Sequence, residues 1–203
     1  EKWYKSRTYL LSSLDRGRSW RYLSTVAYDG ITGQESFTEP DIVDLGGGEL
    51  LAVMRTGHFA PLYSARSLDG GKTWDKPESL HILGLSPQLL LLDSGILVCV
   101  AGWRPSKQNS YYLAAIEDYR QRYQIDVGIH DVSTAAGDYV MFSLDKGHTW
   151  SKPRRIAEPL TLGFTRAASV ERDSFVVISQ RLVIPGETPD AVLRRWQQNS
   201  APG

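Results

Sequence analysis

The chain has 203 residues, of which 41% are hydrophobic, and its 23 Lys and Arg balance its 23 Asp and Glu. That length can bury a substantial core, and the balanced charge leaves no net field to hold a nucleic-acid backbone or an anionic membrane surface. No apolar stretch approaches the length of a membrane span, and the first residues, Glu1 to Lys5, lack the hydrophobic region of a signal peptide, so the chain is expected to be either trimmed or cytosolic.

Alternating residues from Thr8 to Leu11 lead into Ser13-Leu14-Asp15-Arg16-Gly17-Arg18-Ser19-Trp20. The same pattern returns as Ser67-Leu68-Asp69-Gly70-Gly71-Lys72-Thr73-Trp74, after the strand signal Leu62 to Ser67. It returns again as Ser143-Leu144-Asp145-Lys146-Gly147-His148-Thr149-Trp150, after Tyr139 to Ser143. Each copy demands a turn: Asp accepts hydrogen bonds from the N–H groups just ahead, and Gly takes positive φ without a Cβ clash. The Ser or Thr hydroxyl closes the turn, and Trp20, Trp74 and Trp150 are expected in the core. Each copy therefore reads as the tip of a β-hairpin. For Asp15, Asp69 and Asp145, structural hydrogen bonding is preferred to a calcium-binding or catalytic role, and Gly17, Gly71 and Gly147 supply the backbone freedom.

Between the first and second turns lie Pro40 to Leu45, a Gly46-Gly47-Gly48 turn, and Glu49 to Arg55. After the second turn the order recurs as Pro87 to Leu92, Asp93-Ser94-Gly95, and Ile96 to Ala101; a third pass begins at Arg166 to Val170 and Phe175 to Ser179. Four short antiparallel strands per unit, with one turn motif at a fixed place, is the pattern of a β-propeller blade. Asp15 and Asp69 lie 54 positions apart and Asp69 and Asp145 76, so the later unit carries an insertion, over about residues 104–138, between its second and third strands. Tyr112 to Arg120 within it suits either a short amphipathic helix or an irregular loop, and Pro189 to Trp196 a helical turn or two. The expected fold is one all-β propeller domain over residues 1–203, about three to four blades, with the first blade starting at its third strand and the last lacking its outer two. Blades missing at each end, a compact four-bladed ring, or closure by a second copy would each deal with the open strand edges.

Cys99, alone in the apolar run Gly95 to Val100, is expected to be a buried inert thiol. The Gly46-Gly47-Gly48 turn joins two strands and opens no helix, so it is no phosphate cradle. No Cys and His spacing suits a metal, and no cofactor is expected. His58 and His130-Asp131 are loop residues, read either as solvated side chains or as a base with its orienting carboxylate.

The three turns resemble the Asp-box, or bacterial neuraminidase (BNR) repeat, and the chain as a whole is similar to the central part of the sialidase (neuraminidase) superfamily of six-bladed propellers. The stretch Phe37-Thr38-Glu39-Pro40-Asp41 to Met54-Arg55 resembles the sialidase segment in which a catalytic Glu precedes an inner strand and an Arg ends the next. In a blade, the entry to the first strand and the exit from the second share a rim opposite the repeated turns. Glu39, Arg55 and Arg104 should therefore gather around the axis, with the insertion above them.

The resemblance implies a glycosidase that holds a sialic-acid carboxylate with three arginines, by charge-assisted bonds that Lys cannot reproduce. A Tyr activated by a Glu attacks the anomeric carbon, and an Asp protonates the leaving oxygen. By resemblance Glu39 is that activating base and Arg55 the second arginine. Arg104 is the candidate for the third, and Arg181 is a further arginine at a second-strand exit. The first arginine and the acid Asp belong upstream of residue 1. The nucleophile position aligns with Phe164, which has no hydroxyl; Tyr111, Tyr112, Tyr139 or a Tyr beyond Gly203 are the alternatives. The implied partner is a sialic-acid-like or other acidic glycan, and the implied compartment, for a trimmed sialidase, is secreted or periplasmic. A non-catalytic Asp-box propeller that binds glycans or proteins with the same face is the rival reading, and an assembly or sorting propeller a third.

Overall fold

In the computed structural model, residues 5–33, 35–57, 61–103, 137–157 and 161–181 are described, with the backbone alone at 161–164, 180 and 181. They form twelve strands: β1 (Thr8–Ser12), β2 (Arg21–Ala27), β3 (Thr38–Gly46), β4 (Glu49–Arg55), β5 (Pro61–Ser67), β6 (Glu78–Leu83), β7 (Leu85–Leu91), β8 (Leu97–Trp103), β9 (Gly137–Ser143), β10 (Arg154–Ala157), β11 (Thr161–Glu171) and β12 (Ser174–Arg181). Two four-stranded antiparallel sheets, β3-β4-β5-β6 and β7-β8-β9-β10, stand between two-stranded sheets, β1-β2 and β11-β12. The repeated turn joins β5 to β6 and β9 to β10, and it also joins β1 to β2. The first hairpin is thus the outer half of a blade, and β11-β12, which packs on β7 and β8, is the inner half of another.

First strands of successive sheets lie side by side, β3 against β7 and β7 against β11. This is the radial stacking of propeller blades. Second strands are covered on both faces by neighbouring blades, which explains why β4 and β8 are continuous apolar runs rather than alternating ones. Every residue of β8 from Leu97 to Trp103 is buried. One core cluster joins Leu51, Val53 and Leu62 of one sheet to Leu89, Leu97, Cys99 and Met141 of the next. A second joins Val26 and Ala27 of β2 to Ala52 and Met54 of β4.

All three repeated turns close in the same way. Asp15 Oδ1 accepts from the Ser19 N–H at 2.8 Å, Asp69 Oδ1 from the Thr73 N–H at 2.9 Å, and Asp145 Oδ1 from the Thr149 N–H at 2.8 Å. Their Oδ2 atoms accept from the Ser19, Thr73 and Thr149 hydroxyls at 2.6–2.7 Å. The hydroxyl bonds of Ser19 and Ser13, with Ser19's backbone N–H, hold the Asp15 carboxyl down at about 2, and Thr73's N–H and hydroxyl do the same for Asp69. The Asp145 carboxyl is lowered likewise, chiefly by the Thr149 hydroxyl. Gly17, Gly71 and Gly147 all have φ between +82° and +87°.

What differs is the surroundings. A Cβ on Gly71 would lie 2.3 Å from Leu10 Cδ2 of the preceding hairpin, and one on Gly147 would lie 2.4 Å from Leu51 Cδ2 of the preceding blade. The second and third turns are therefore wedged against the sheet before them. Trp74 packs against the core cluster of β2 and β4, and Trp150 against that of β4 and β8. Trp20 departs from the expectation of burial and is 63% exposed. Among the described residues no blade precedes β1-β2, so nothing covers its indole, and only the local bond from Trp20 Nε1 to the Gly17 carbonyl remains.

Candidate functional site

The two rims of the blades carry different chemistry. On one, the Gly70 N–H donates to the Gly48 carbonyl at 2.8 Å, which sets the β5–β6 turn beside the β3–β4 turn. Between blades on that rim, Glu49 takes Arg66 as an ion pair and Lys146 at 2.9 Å, while Arg66 Nη2 donates to the Lys146 carbonyl at 2.7 Å. The Lys146 bond, with that of Arg66, holds the Glu49 carboxyl below its ordinary range. The turns built on Asp69 and Asp145 thus lie where neighbouring sheets meet.

At the other rim β3 begins and β4 ends, with Thr38 paired to Arg55. Four residues of β3 (Thr38 to Asp41) lie opposite three of β4 (Arg55 to Val53), which is a bulge. The next blade repeats it, with Leu85 to Gln88 spanning Gly102 to Val100. Both bulges contain a residue followed by proline, Glu39-Pro40 and Ser86-Pro87, and both leading residues have positive φ, 45° for Glu39 and 46° for Ser86. A non-glycine residue there is strained by roughly 1–2 kcal/mol, and such strain persists only where the surroundings fix it.

Those surroundings are specific. Glu39 Oε2 accepts from both the backbone N–H and the hydroxyl of Ser86, each at 2.9 Å. Glu39 Oε1 is ion-paired with Arg55 Nη1. The other guanidinium nitrogen, Arg55 Nη2, lies 3.0 Å from Glu35 Oε2. Arg166 continues the chain, because its Nη1 donates to the Thr165 carbonyl at 2.8 Å and reaches the Ser86 carbonyl at 3.5 Å. Contacts therefore run from β4 through β3 and the start of β7 to β11, across three successive sheets. Lower on the same strands the Leu89 N–H donates to Asp41 Oδ2 at 2.6 Å. Gln88 exchanges bonds with both backbone groups of Ala167. These parallel bonds make Asp41, Gln88 and Arg166 equivalent positions, and so also Glu39, Ser86 and Phe164.

The loop before β3 positions Glu35. Asp29 accepts from the N–H groups of Ile31 and Thr32 at 2.8 and 2.6 Å, Lys5 Nζ donates to the Gly33 carbonyl at 2.5 Å, and the Ser6 N–H donates to the Glu35 carbonyl at 2.8 Å. The Glu35 side chain lies over Gly57, where an added Cβ would meet it at 2.8 Å.

The side chains of Arg55, Glu39 and Glu35 are 18%, 32% and 31% exposed. A guanidinium has five N–H donors. Nη1 and Nη2 of Arg55 each have a carboxylate partner, and its Nε is buried with no partner among the described residues. A carboxylate has about four acceptor positions, and three on Glu39 are used. The arrangement can thus still donate to an anion and accept one further hydrogen bond.

Of the other residues singled out in the sequence, Arg181 closes β12 opposite Thr161 by its backbone. Phe164 sits in the irregular stretch between the Thr161–Arg181 and Thr165–Ser179 pairs, at the same place along the inner strand as the two bulges. Arg104, Tyr111, Tyr112, His58, His130 and Asp131, the helix-or-loop segment 112–120 and residues 189–196 lie outside the described residues. So does most of the 104–138 insertion; its ends, Trp103 and Gly137, are paired at the Glu39 rim. Burial, opposed by Arg155, raises the Tyr139 hydroxyl above its ordinary value, the wrong direction for a ready phenolate. Burial also pushes the Cys99 thiol far up. Among the described residues no group of three His, Cys, Asp or Glu could hold a metal, and no helix is long and apolar enough to cross a membrane.

Sequence reasoning missed Glu35, Ser86 and Arg166. The recurrence of a residue-proline pair at the head of an inner strand, Glu39-Pro40 then Ser86-Pro87, was a usable signal for Ser86. Arg166 begins the third pass of the same strand, but its reach to Ser86 depends on how the blades pack. No motif marks Glu35.

No protein-family profile matches the sequence, and comparison with curated proteins gives no significant match. Solved structures do resemble it. A Dyadobacter fermentans protein described as of unknown function superposes with a TM-score of 0.64 at 22% identity, over 90% of this chain and 43% of its own. A K499G variant of the NanB sialidase from Streptococcus pneumoniae gives 0.54 at 15% identity, over 88% and 24%. The Hadza microbial sialidase Hz136 gives 0.53 at 17% identity, over 83% and 34%. The chain therefore spans less than half the length of each of these structures, and over that span its fold is that of a sialidase-type β-propeller.

Proposed function

We propose that this chain carries the sugar-binding rim of a sialidase-like glycoside hydrolase, and that the repeated turns are Asp-boxes holding its blades. The observation that carries the reading is the continuous set of contacts Arg55–Glu39–Ser86–Arg166, which gathers an acid and two guanidinium groups at the heads of three neighbouring inner strands. The solved sialidases with the same fold support it. In this reading the unfilled donors of Arg55, with Arg104 and Arg181 from second-strand exits, take the carboxylate of an acidic sugar, a task suited to planar, permanently charged groups. Glu39, fixed by Ser86 and Arg55, uses its remaining acceptor position to draw the proton from a nucleophilic hydroxyl. Glu35 balances the charge of Arg55 when no sugar is bound.

A non-catalytic glycan-binding propeller is the second reading, and Phe164 favours it. Its position is equivalent to those of Glu39 and Ser86, and it offers no hydroxyl where the sialidase pattern places a nucleophile. The test is hydrolysis of a fluorogenic sialoside alongside calorimetric binding of sialic acid, for the native chain and the Arg55→Ala and Glu39→Gln variants. The hydrolase reading expects turnover that falls at least about a hundredfold in Glu39→Gln and binding lost in Arg55→Ala. Binding without turnover, abolished by Arg55→Ala, would establish the second reading, and binding or turnover indifferent to both changes would discard the site.

A further inference from the structure

We propose that Glu35 stands in for the carboxylate of the sugar: it holds Arg55 Nη2 until an anionic sugar takes that nitrogen from it, so that binding exchanges one carboxylate for another and Glu35 sets the charge that a ligand must carry. This inference rests on the reading of the rim as a sugar-binding site. Arg55 carries two carboxylates at once, Glu39 Oε1 on Nη1 and Glu35 Oε2 at 3.0 Å from Nη2. A third carboxylate, arriving with a sugar, is repelled by both unless one of them leaves.

The two carboxylates are not held alike. Glu39 lies in the bulge of β3, and its second oxygen accepts both the backbone N–H and the hydroxyl of Ser86 from the next blade, each at 2.9 Å. Releasing Arg55 would leave Glu39 where it is. Glu35 comes from the loop between β2 and β3, whose backbone is fixed at several points. The Ser36 hydroxyl donates to the Asp29 carbonyl at 3.0 Å, and the Ser6 N–H donates to the Glu35 carbonyl at 2.8 Å. Gly33 lies so close to Thr56 that an added Cβ would stand 1.9 Å from the Thr56 carbonyl oxygen. The loop thus aims the Glu35 side chain at Arg55 without gripping its length. That side chain crosses Gly57, where an added Cβ would lie 2.8 Å from both its Cβ and its Cγ. With no side chain at position 57 to block it, Glu35 can move between rotamers while its backbone stays put. It is already 31% exposed, so water can receive the carboxylate when it lets go.

Such an exchange makes charge the condition for entry. A carboxylate that replaces Glu35 leaves Arg55 with the same charge around it and the same charge-assisted bonds. The hydroxyl of a neutral sugar would release Glu35 and give a weaker bond in return, so a neutral sugar leaves the pair intact. Glu35 therefore discriminates against neutral sugars, and it also weakens binding of the acidic one, because apparent affinity falls with the fraction of molecules whose Nη2 is already taken. Building in an element that opposes the wrong ligand is a general route to specificity.

Calorimetric titration of sialic acid, and separately of its uncharged methyl ester, into the 203-residue chain and its Glu35→Gln and Glu35→Ala variants tests the exchange. Both variants should bind the acid about two- to fivefold more tightly than the native chain, the range expected from losing one partly exposed ion pair that competes with the ligand. The two should gain alike, since the charge is what each removes. The ester has no charge to exchange and should show no gain in either. If Glu35 instead props Arg55 in place, binding of the acid should weaken, and more in Glu35→Ala than in Glu35→Gln. That result, or an affinity for the acid unchanged in both variants, would overturn the exchange and leave the sugar-binding rim standing. Equal tightening of acid and ester would overturn it as well, because the gain would then owe nothing to the carboxylate. Failure of the native chain and both variants to bind the acid would overturn the exchange and the sugar-binding reading together.

Discussion

Gly70 and Gly71 are adjacent in one turn, with φ of +73° and +83°, and only their surroundings distinguish them. A Cβ on Gly70 meets nothing within 4 Å, whereas one on Gly71 lies 2.3 Å from Leu10 Cδ2 and 3.2 Å from Leu50 Cδ1. Positive φ costs an alanine roughly 1–2 kcal/mol, and forcing a methyl into a packed contact adds about 1–3 kcal/mol. Gly70→Ala should therefore cost about 1–2 kcal/mol, its lower end supported by Arg16 and Lys146, which hold the same place in the other turns at φ of 63° and 58°. Gly71→Ala should cost about 2–5 kcal/mol, since either the turn or the Leu10 side chain of the neighbouring hairpin must shift. Urea unfolding followed by circular dichroism, with midpoints converted at a common slope, measures both. Equal losses for the two variants would refute the view that this turn is a wedge between blades rather than only a tight local turn.

Acid should act through the same turns. Asp69 is held at about 2 by the Thr73 N–H and hydroxyl, below an unfolded value of about 3.9. Its contribution is therefore complete above pH ~4 and lost as pH falls through about 2. Thermal midpoints of the native chain should fall across that window, and those of Asp69→Asn should fall less steeply; parallel curves would remove the carboxylate from the account. Cys99, fully buried with its thiol pushed up by burial, should resist alkylation at pH 8 until the chain unfolds in urea, and stoichiometric labelling of the native protein would contradict the packing of β8.

The turns were legible because their chemistry is local: Ser, Asp and Ser or Thr within seven residues satisfy one another, so residue types alone specify the geometry. Blade order was legible because the four strand signals recur in sequence. The Glu39–Arg55 juxtaposition followed from a hairpin centred on Gly46 to Gly48, which places residues 39 and 55 at nearly equal distances from the turn. Burial of Trp20 was misjudged for a related reason, since the motif follows the same pattern as the other two and the absence of a preceding blade among the described residues leaves its indole uncovered. The reach of Arg166 to Ser86, and of Ser86 to Glu39, depends on the spacing of first strands from different blades. No periodicity within one strand encodes that spacing. Glu35 is placed by a loop built on Asp29, Lys5 and Gly33, whose contacts span up to 28 positions and form no pattern readable along the chain.

The central claim is that acid and guanidinium groups converge at the first-strand rim to receive an acidic sugar, while the repeated turns on the other rim are scaffold. Titrating sialic acid into isotopically labelled chain and following amide and guanidinium resonances tests it most directly. The account predicts shifts at Ser86 N–H, the Arg55 guanidinium and Arg166, with Thr73 and Thr149 N–H unmoved. Shifts confined to the turns around Asp69 and Asp145, with Ser86 and Arg55 silent at saturating sugar, would contradict it.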